Sequence, residues 1–81
     1  MRDERAHNVK YYKHFVQIGL NIMRYRKEQG LSQEELAEMA GYSRTQIQRV
    51  EAATAAPSLA MLYEISNALN VPLEKLLRLD N

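Results

Sequence analysis

Arg44, Thr45, Gln48 and Arg49 crowd into one short stretch, and at the roughly 100° per residue of an α-helix they share one side. Ile47, Val50, Glu51 and Gln46 fall on the other. Two guanidiniums, an amide and a hydroxyl on one helix face are what a DNA major groove can receive. Arginine bonds bidentately to guanine O6 and N7, and glutamine to adenine N6 and N7. Threonine offers a hydroxyl or a methyl group. Gln33 would open an earlier helix, where a side-chain amide and free backbone N–H groups can hold a phosphate. Ser43 and Gln46, at the start of the polar-faced helix, are further candidates for phosphate contact. The competing explanation for each is an ordinary solvated surface.

Other chemistries find little support. Glu34, Glu35 and Glu38 read as a solvated helix face, because carboxylates without a histidine, metal or pocket beside them make no acid–base site. His7 and His14 have no third ligand near in sequence, so they read as surface histidines and no metal or cofactor is expected. No nucleophile arrangement and no phosphate loop is visible, and the chain does not read as an enzyme.

The elements that must position these residues are legible around them. Leu31 to Val50 reads as two short helices, about 33–40 and 44–52, each opening with a capping box: Ser32 with Glu35, then Ser43 with Gln46. Gly41 lies between them, where a helix exit needs positive φ. Two short helices joined by a glycine-containing turn form a helix-turn-helix. Leu36, Ala37 and Ala40 would face inward from the first helix, and Ile47 and Val50 from the second. Upstream, Tyr11, Phe15, Ile18, Ile22 and Tyr25 form one apolar stripe in a helix over 9–29, with Asp3 and Asn8 as rival caps and Gly30 as the stop. Downstream, Ser58 caps a helix whose stripe is Leu59, Leu62, Ile65, Ser66 and Leu69, closed by Asn70. Pro72 would be the first residue of a last helix, with Leu73, Leu76 and Leu77 facing in. Tyr42 and Tyr63 read as aromatics at the edge of the core. No strand pattern appears, so the expectation is all-α, five helices in one compact domain.

Composition sets the outer limits. Eighty-one residues allow one domain with a modest core, and the absence of cysteine removes disulfides and thiolate metal sites. No apolar run approaches the roughly 20 residues needed to span a bilayer. The first residues, MRDERAHNVKYY, carry acids and lack an apolar core, so they do not read as a secretory signal, and a cytoplasmic protein is expected. The net charge of +1 says little about nucleic acid, but its distribution says more. Residues 1–30 carry seven Lys/Arg against three acids, whereas residues 31–42 carry three Glu and no base.

From Ile18 to Leu77 the chain resembles the Cro/C1-type, or XRE, helix-turn-helix family. The stretches that carry the resemblance are IGLNIMRYRKEQGLSQEELAEMAGYSRTQIQRVE and PSLAMLYEISNALNVPLEKLL. It implies a lambda-repressor-like five-helix domain over 18–81, preceded by an N-terminal extension of helix 1 over 1–17. It implies sequence-specific binding of double-stranded DNA and a homodimer on a palindromic operator. By the same resemblance, Gln33 matches a phosphate-contacting position. Arg44, Thr45, Gln48 and Arg49 match positions facing bases or adjacent phosphates. Arg26 and Glu51 match an arginine and a glutamate that pair as a structural brace.

Three departures from the family pattern carry expectations of their own. Ala53 stands where the family usually has glycine, so the end of the reading helix is expected to run longer or turn differently. Thr54-Ala55-Ala56 lacks the charge with which this loop commonly touches phosphate. Leu20 and Met23 stand where polar residues are usual, which suggests cover by the N-terminal extension or by a second subunit. That extension, with Arg2, Arg5, Lys10, Lys13, Tyr11, Tyr12 and Phe15, is open to three readings: a packing or dimerising helix, a solvated tail, or a basic DNA arm. The rival to a DNA-binding regulator is a protein-interaction module of the same fold, antitoxin-like or an adaptor, favoured by the acidic second helix and the alanine loop.

Overall fold

Serine begins three of the helices in the computed structural model of this chain, which describes residues 10–79. Those residues form α1 (Tyr12–Glu28), α2 (Gln33–Ala40), α3 (Arg44–Glu51), α4 (Leu59–Leu69) and the single turn α5 (Leu73–Leu76), with no strand among them. The Ser32, Ser43 and Ser58 hydroxyls each accept the backbone N–H three residues on, at 3.0, 3.1 and 3.0 Å. In α2 and α3 the bond is reciprocated. Glu35 accepts the Ser32 N–H at 2.8 Å, and Gln46 accepts the Ser43 N–H at 2.8 Å. Each cap satisfies donors that the first turn of a helix cannot satisfy itself.

The first four helices end alike. The N–H of the residue after a left-handed position reaches back to a carbonyl five residues earlier: Leu31 to Arg26, Tyr42 to Ala37, Thr54 to Arg49 and Val71 to Ser66. That geometry requires one residue at positive φ. Gly30, Gly41 and Asn70 supply it at +70°, +84° and +55°, and Ala53 supplies it at +60°. The helix before Ala53 therefore stops where glycine would have stopped it, contrary to the expected change of turn. The Arg49 carbonyl is the reason: besides the Thr54 N–H it accepts the Ala55 N–H and the Thr54 hydroxyl, both at 3.3 Å. These bonds hold the exit despite the clash that an alanine Cβ meets in this region.

The core lies where the helices converge. Ile18 and Ile22 of α1 meet Leu36, Ala37 and Ala40 of α2, Ile47 and Val50 of α3, Met61, Leu62, Ile65 and Leu69 of α4, and Leu76 of α5. Phe15 and Tyr25 pack partly against it, whereas Tyr11, at the α1 start, is exposed. α1 crosses the end of α3 at Gly19, so closely that a Cβ there would stand 2.6 Å from the carbonyl oxygens of both Val50 and Glu51. α1 also completes other helix ends. Asn21 Nδ2 donates to the Leu76 and Arg78 carbonyls at 2.9 and 2.8 Å, and Gln29 Nε2 donates to the Leu69 carbonyl at 2.6 Å.

Several expected positions shift. Leu59 is 62 % exposed and Tyr63, one turn on, is 52 % exposed, while Met61 is buried in their place. Leu59 is the first residue after the Ser58 cap and lies at the edge of the α4 stripe, exposed among the described residues. Pro72 is the N-cap of α5 rather than its first residue, and Leu77 turns outward because α5 ends after one turn. Tyr42 is half-buried against the core. Asp3, Arg2, Arg5, His7 and Asn8 lie outside the described residues, and His14 is exposed.

Candidate nucleic-acid interface

The face of α3 that bears Arg44, Thr45, Gln48 and Arg49 is exposed throughout, and the opposite residues Ile47, Val50 and Glu51 are buried. The four side chains make no hydrogen bond or ion pair among the described residues. An eight-residue helix held by a box at one end and a carbonyl-centred turn at the other therefore presents them outward with their donors uncommitted. Gln46, placed by the wheel on the packing side, is in fact exposed on the flank. Its carbonyl oxygen and the Ser43 hydroxyl are engaged with each other's backbone N–H groups, which leaves the Gln46 Nε2 donor open.

Beneath this face lies a buried ion pair. Arg26 Nε donates to Glu51 Oε2 at 2.6 Å, and Arg26 Nη2 to Glu51 Oε1 at 2.9 Å, a bidentate arrangement that ties α1 to the last residue of α3. Arg26 Nη1 donates to the Leu31 carbonyl at 2.8 Å, just ahead of the Ser32 cap. Gln33 is half-buried beside them, its Nε2 donating to Glu51 Oε1 at 3.0 Å. Of the side chains singled out for phosphate, Gln33 is thus the one joined to the brace, a contact between residues 18 apart that periodicity could not reveal. Gly19, Asn21 and Gln29 likewise escaped the sequence reading, since each acts on backbone far away in the chain.

The surroundings are unevenly charged. α2 carries Glu34, Glu35 and Glu38 on its exposed side, and the loop after α3 presents Ala55 and Ala56 without charge. The Ser32 backbone N–H and, next, its hydroxyl hold the Glu35 carboxyl below the ordinary glutamate range. On α1, Leu20 is 48 % exposed, whereas Met23 is half-buried, so the apolar surface suspected there is smaller than a fully exposed pair would make. No group of three His, Cys, Asp or Glu among the described residues could hold a metal ion. No helix among them is long and apolar enough to cross a membrane.

A family model described as helix-turn-helix matches residues 22–76, spanning the capped pair, the brace and α4. The chain belongs to the XRE-type helix-turn-helix family. Among its relatives, an uncharacterized HTH-type transcriptional regulator of Sinorhizobium fredii, y4dJ, is 37% identical over 54 residues, 67% of this chain and 70% of that one. Control protein C.SmaI of Serratia marcescens is 42% identical over 57 residues, 70% of this chain and 68% of that one. SinR, an HTH-type transcriptional regulator of Bacillus subtilis, is 39% identical over 61 residues, covering 74% of this chain and 55% of SinR. Among solved structures, the restriction-modification controller protein C.AhdI of Aeromonas hydrophila superposes with a TM-score of 0.79 at 30% identity, covering 82% of this chain and 96% of that one. The P22 c2 repressor, solved with a synthetic operator, gives a TM-score of 0.72 at 30% identity, covering 78% of this chain and 96% of that one. The fold is lambda-repressor-like and all-α, and the family is one of DNA-binding transcriptional regulators, not of enzymes.

Proposed function

We propose that this XRE-family domain is a sequence-specific regulator that lays α3 in the major groove of double-stranded DNA, as a homodimer on a palindromic operator, in the cytoplasm. The observation that carries the reading is the uncommitted, exposed set Arg44, Thr45, Gln48 and Arg49 on a helix whose other face is buried. These four would contact bases. Gln33, Ser43 and the open amide of Gln46 would contact phosphate and set the register. The P22 c2 repressor, similar over most of this chain, is described in complex with operator DNA. Each subunit would read one half-site, with half-site centres about 34 Å apart. Affinity would fall with salt through counterion release, less steeply than for relatives with a basic loop at 54–56. The exposed Leu20 would be covered by the N-terminal extension or by the second subunit.

Selection of bound sequences from random duplex DNA, with Arg44→Ala and Arg49→Ala alongside, tests the reading. Wild type should enrich one motif, and each variant should relax it at one position. Enrichment of no motif at low salt would leave the protein-interaction module, to which the acidic α2 and the alanine loop point. Light scattering across a dilution series should give the mass of a dimer; a strict monomer removes the palindrome.

A further inference from the structure

We propose that Glu51 is a positioning residue for the phosphate contact of Gln33, a role beyond its half of the Arg26 brace; the inference rests on the DNA-binding reading above. Arg26 alone already engages both carboxylate oxygens of Glu51, at 2.6 and 2.9 Å. The third donor, Gln33 Nε2 at 3.0 Å, is therefore not needed to neutralise the carboxylate, although it fills a further acceptor site on Oε1. Its consequence lies in Gln33 itself. A primary amide has two N–H donors. One is held by Glu51, which fixes the side-chain rotamer, and the second remains free at the first residue of α2.

Behind Gln33 the charge is balanced, although Glu34 and Glu35 follow it on the exposed side of α2. Arg26 compensates the Glu51 carboxylate, so the amide is held without a net negative charge behind it to repel phosphate. The same guanidinium donates to the Leu31 carbonyl and so fixes the backbone that leads into the Ser32 cap. One ion pair thus sets both the backbone and the side chain at the start of α2. Holding a rotamer-rich side chain in place before binding is worth about three- to tenfold in affinity.

The test is a double-mutant cycle on the full chain, read as affinity for the selected duplex at fixed salt and well below the melting temperature of every variant. Gln33→Ala should weaken binding about three- to tenfold, on cognate and random duplex alike. The pair Arg26→Met with Glu51→Leu removes the ion pair without stranding a charge. It should weaken binding by at least as much, and in that background Gln33→Ala should cost less than about twofold. If Gln33→Ala costs the same in both backgrounds, or costs nothing in wild type, the positioning role is wrong. Nitrogen relaxation of side-chain amides in the unbound wild type gives a second readout that needs no variant to fold. The Gln33 amide should be ordered relative to that of Gln48, and equal mobility would also overturn the proposal. Failure of wild type to bind any duplex would remove the DNA-binding reading and this inference with it, whereas binding with an additive cycle removes this inference alone.

Discussion

α2 and α3 have the same length and the same kind of start, and they share almost nothing else. Each has eight residues and a serine capping box. α2 exposes three glutamates and leaves through a glycine; α3 exposes two arginines and leaves through an alanine at positive φ. α2 buries only apolar side chains, while α3 buries a carboxylate as its last residue. Local rules made the two helices interchangeable as scaffolds. Their difference lies in which one was given a face free to make contacts and a charged anchor to hold that face still.

The sharpest way to break the comparison is at the anchor. Glu51→Ala should lower stability by about 3–5 kcal/mol, because it strands the buried Arg26 guanidinium. In a small domain that is much of the total. Thermal unfolding should show the drop, and the Arg26→Met/Glu51→Leu pair should recover most of it. Next comes the free face. Arg49→Ala should cost about 1–3 kcal/mol of operator binding, whereas Glu38→Ala on α2 should change stability and binding by no more than about 0.5 kcal/mol. Equal losses from the two helices, measured by titration, would mean that α3 is not the reader.

The exits offer a smaller and cleaner contrast. Gly41→Ala should destabilise by about 1 kcal/mol and Ala53→Gly should stabilise by a similar amount. A Cβ at Gly41 would meet nothing within 4 Å, so the first measures backbone strain alone. Both chains keep the bonds to the Arg49 carbonyl, so equal melting temperatures for wild type and Ala53→Gly would show that the alanine carries no net backbone penalty at this exit. The smallest effect is at the starts. Glu35→Gln gives α2 the uncharged box of α3. Because folding lowers the Glu35 pKa, its stabilisation is present above the ordinary value of about 4.5 and lost as pH falls through the folded value. The stability gap between wild type and this variant should therefore close on acidification from neutral pH, while a Ser43→Ala variant keeps its deficit of about 1 kcal/mol. A gap that persists at pH 2 would exclude charge as its source.

Most helix starts and stops were legible because they are decided within a few residues. A serine meets an N–H three positions on, and a turn at Gly30, Gly41 or Asn70 needs positive φ whatever surrounds it. The polar face of α3 was legible for the same reason: periodicity places Arg44, Thr45, Gln48 and Arg49 opposite Ile47 and Val50. The edges of the stripes were not. Leu59, Tyr63 and Leu77 sit at angles or ends where burial depends on whether a distant helix reaches over them, and among the described residues they stay exposed. Ala53 misled because residue type argues against positive φ, and three bonds to one carbonyl outweigh it.

The sequence by itself determined the five helices of the described residues, the serine-capped starts of three of them, the family resemblance and the face offered to a groove, since each follows from chain-neighbour geometry or from pattern. Only the tertiary structure decided that α1 must carry a glycine where it crosses α3, that Asn21 and Gln29 close the ends of other helices, and that Glu51 holds Gln33 as well as Arg26. Those contacts join residues 18 to 57 positions apart. They arise from the packing of whole helices, and a local reading of residue types has no access to them.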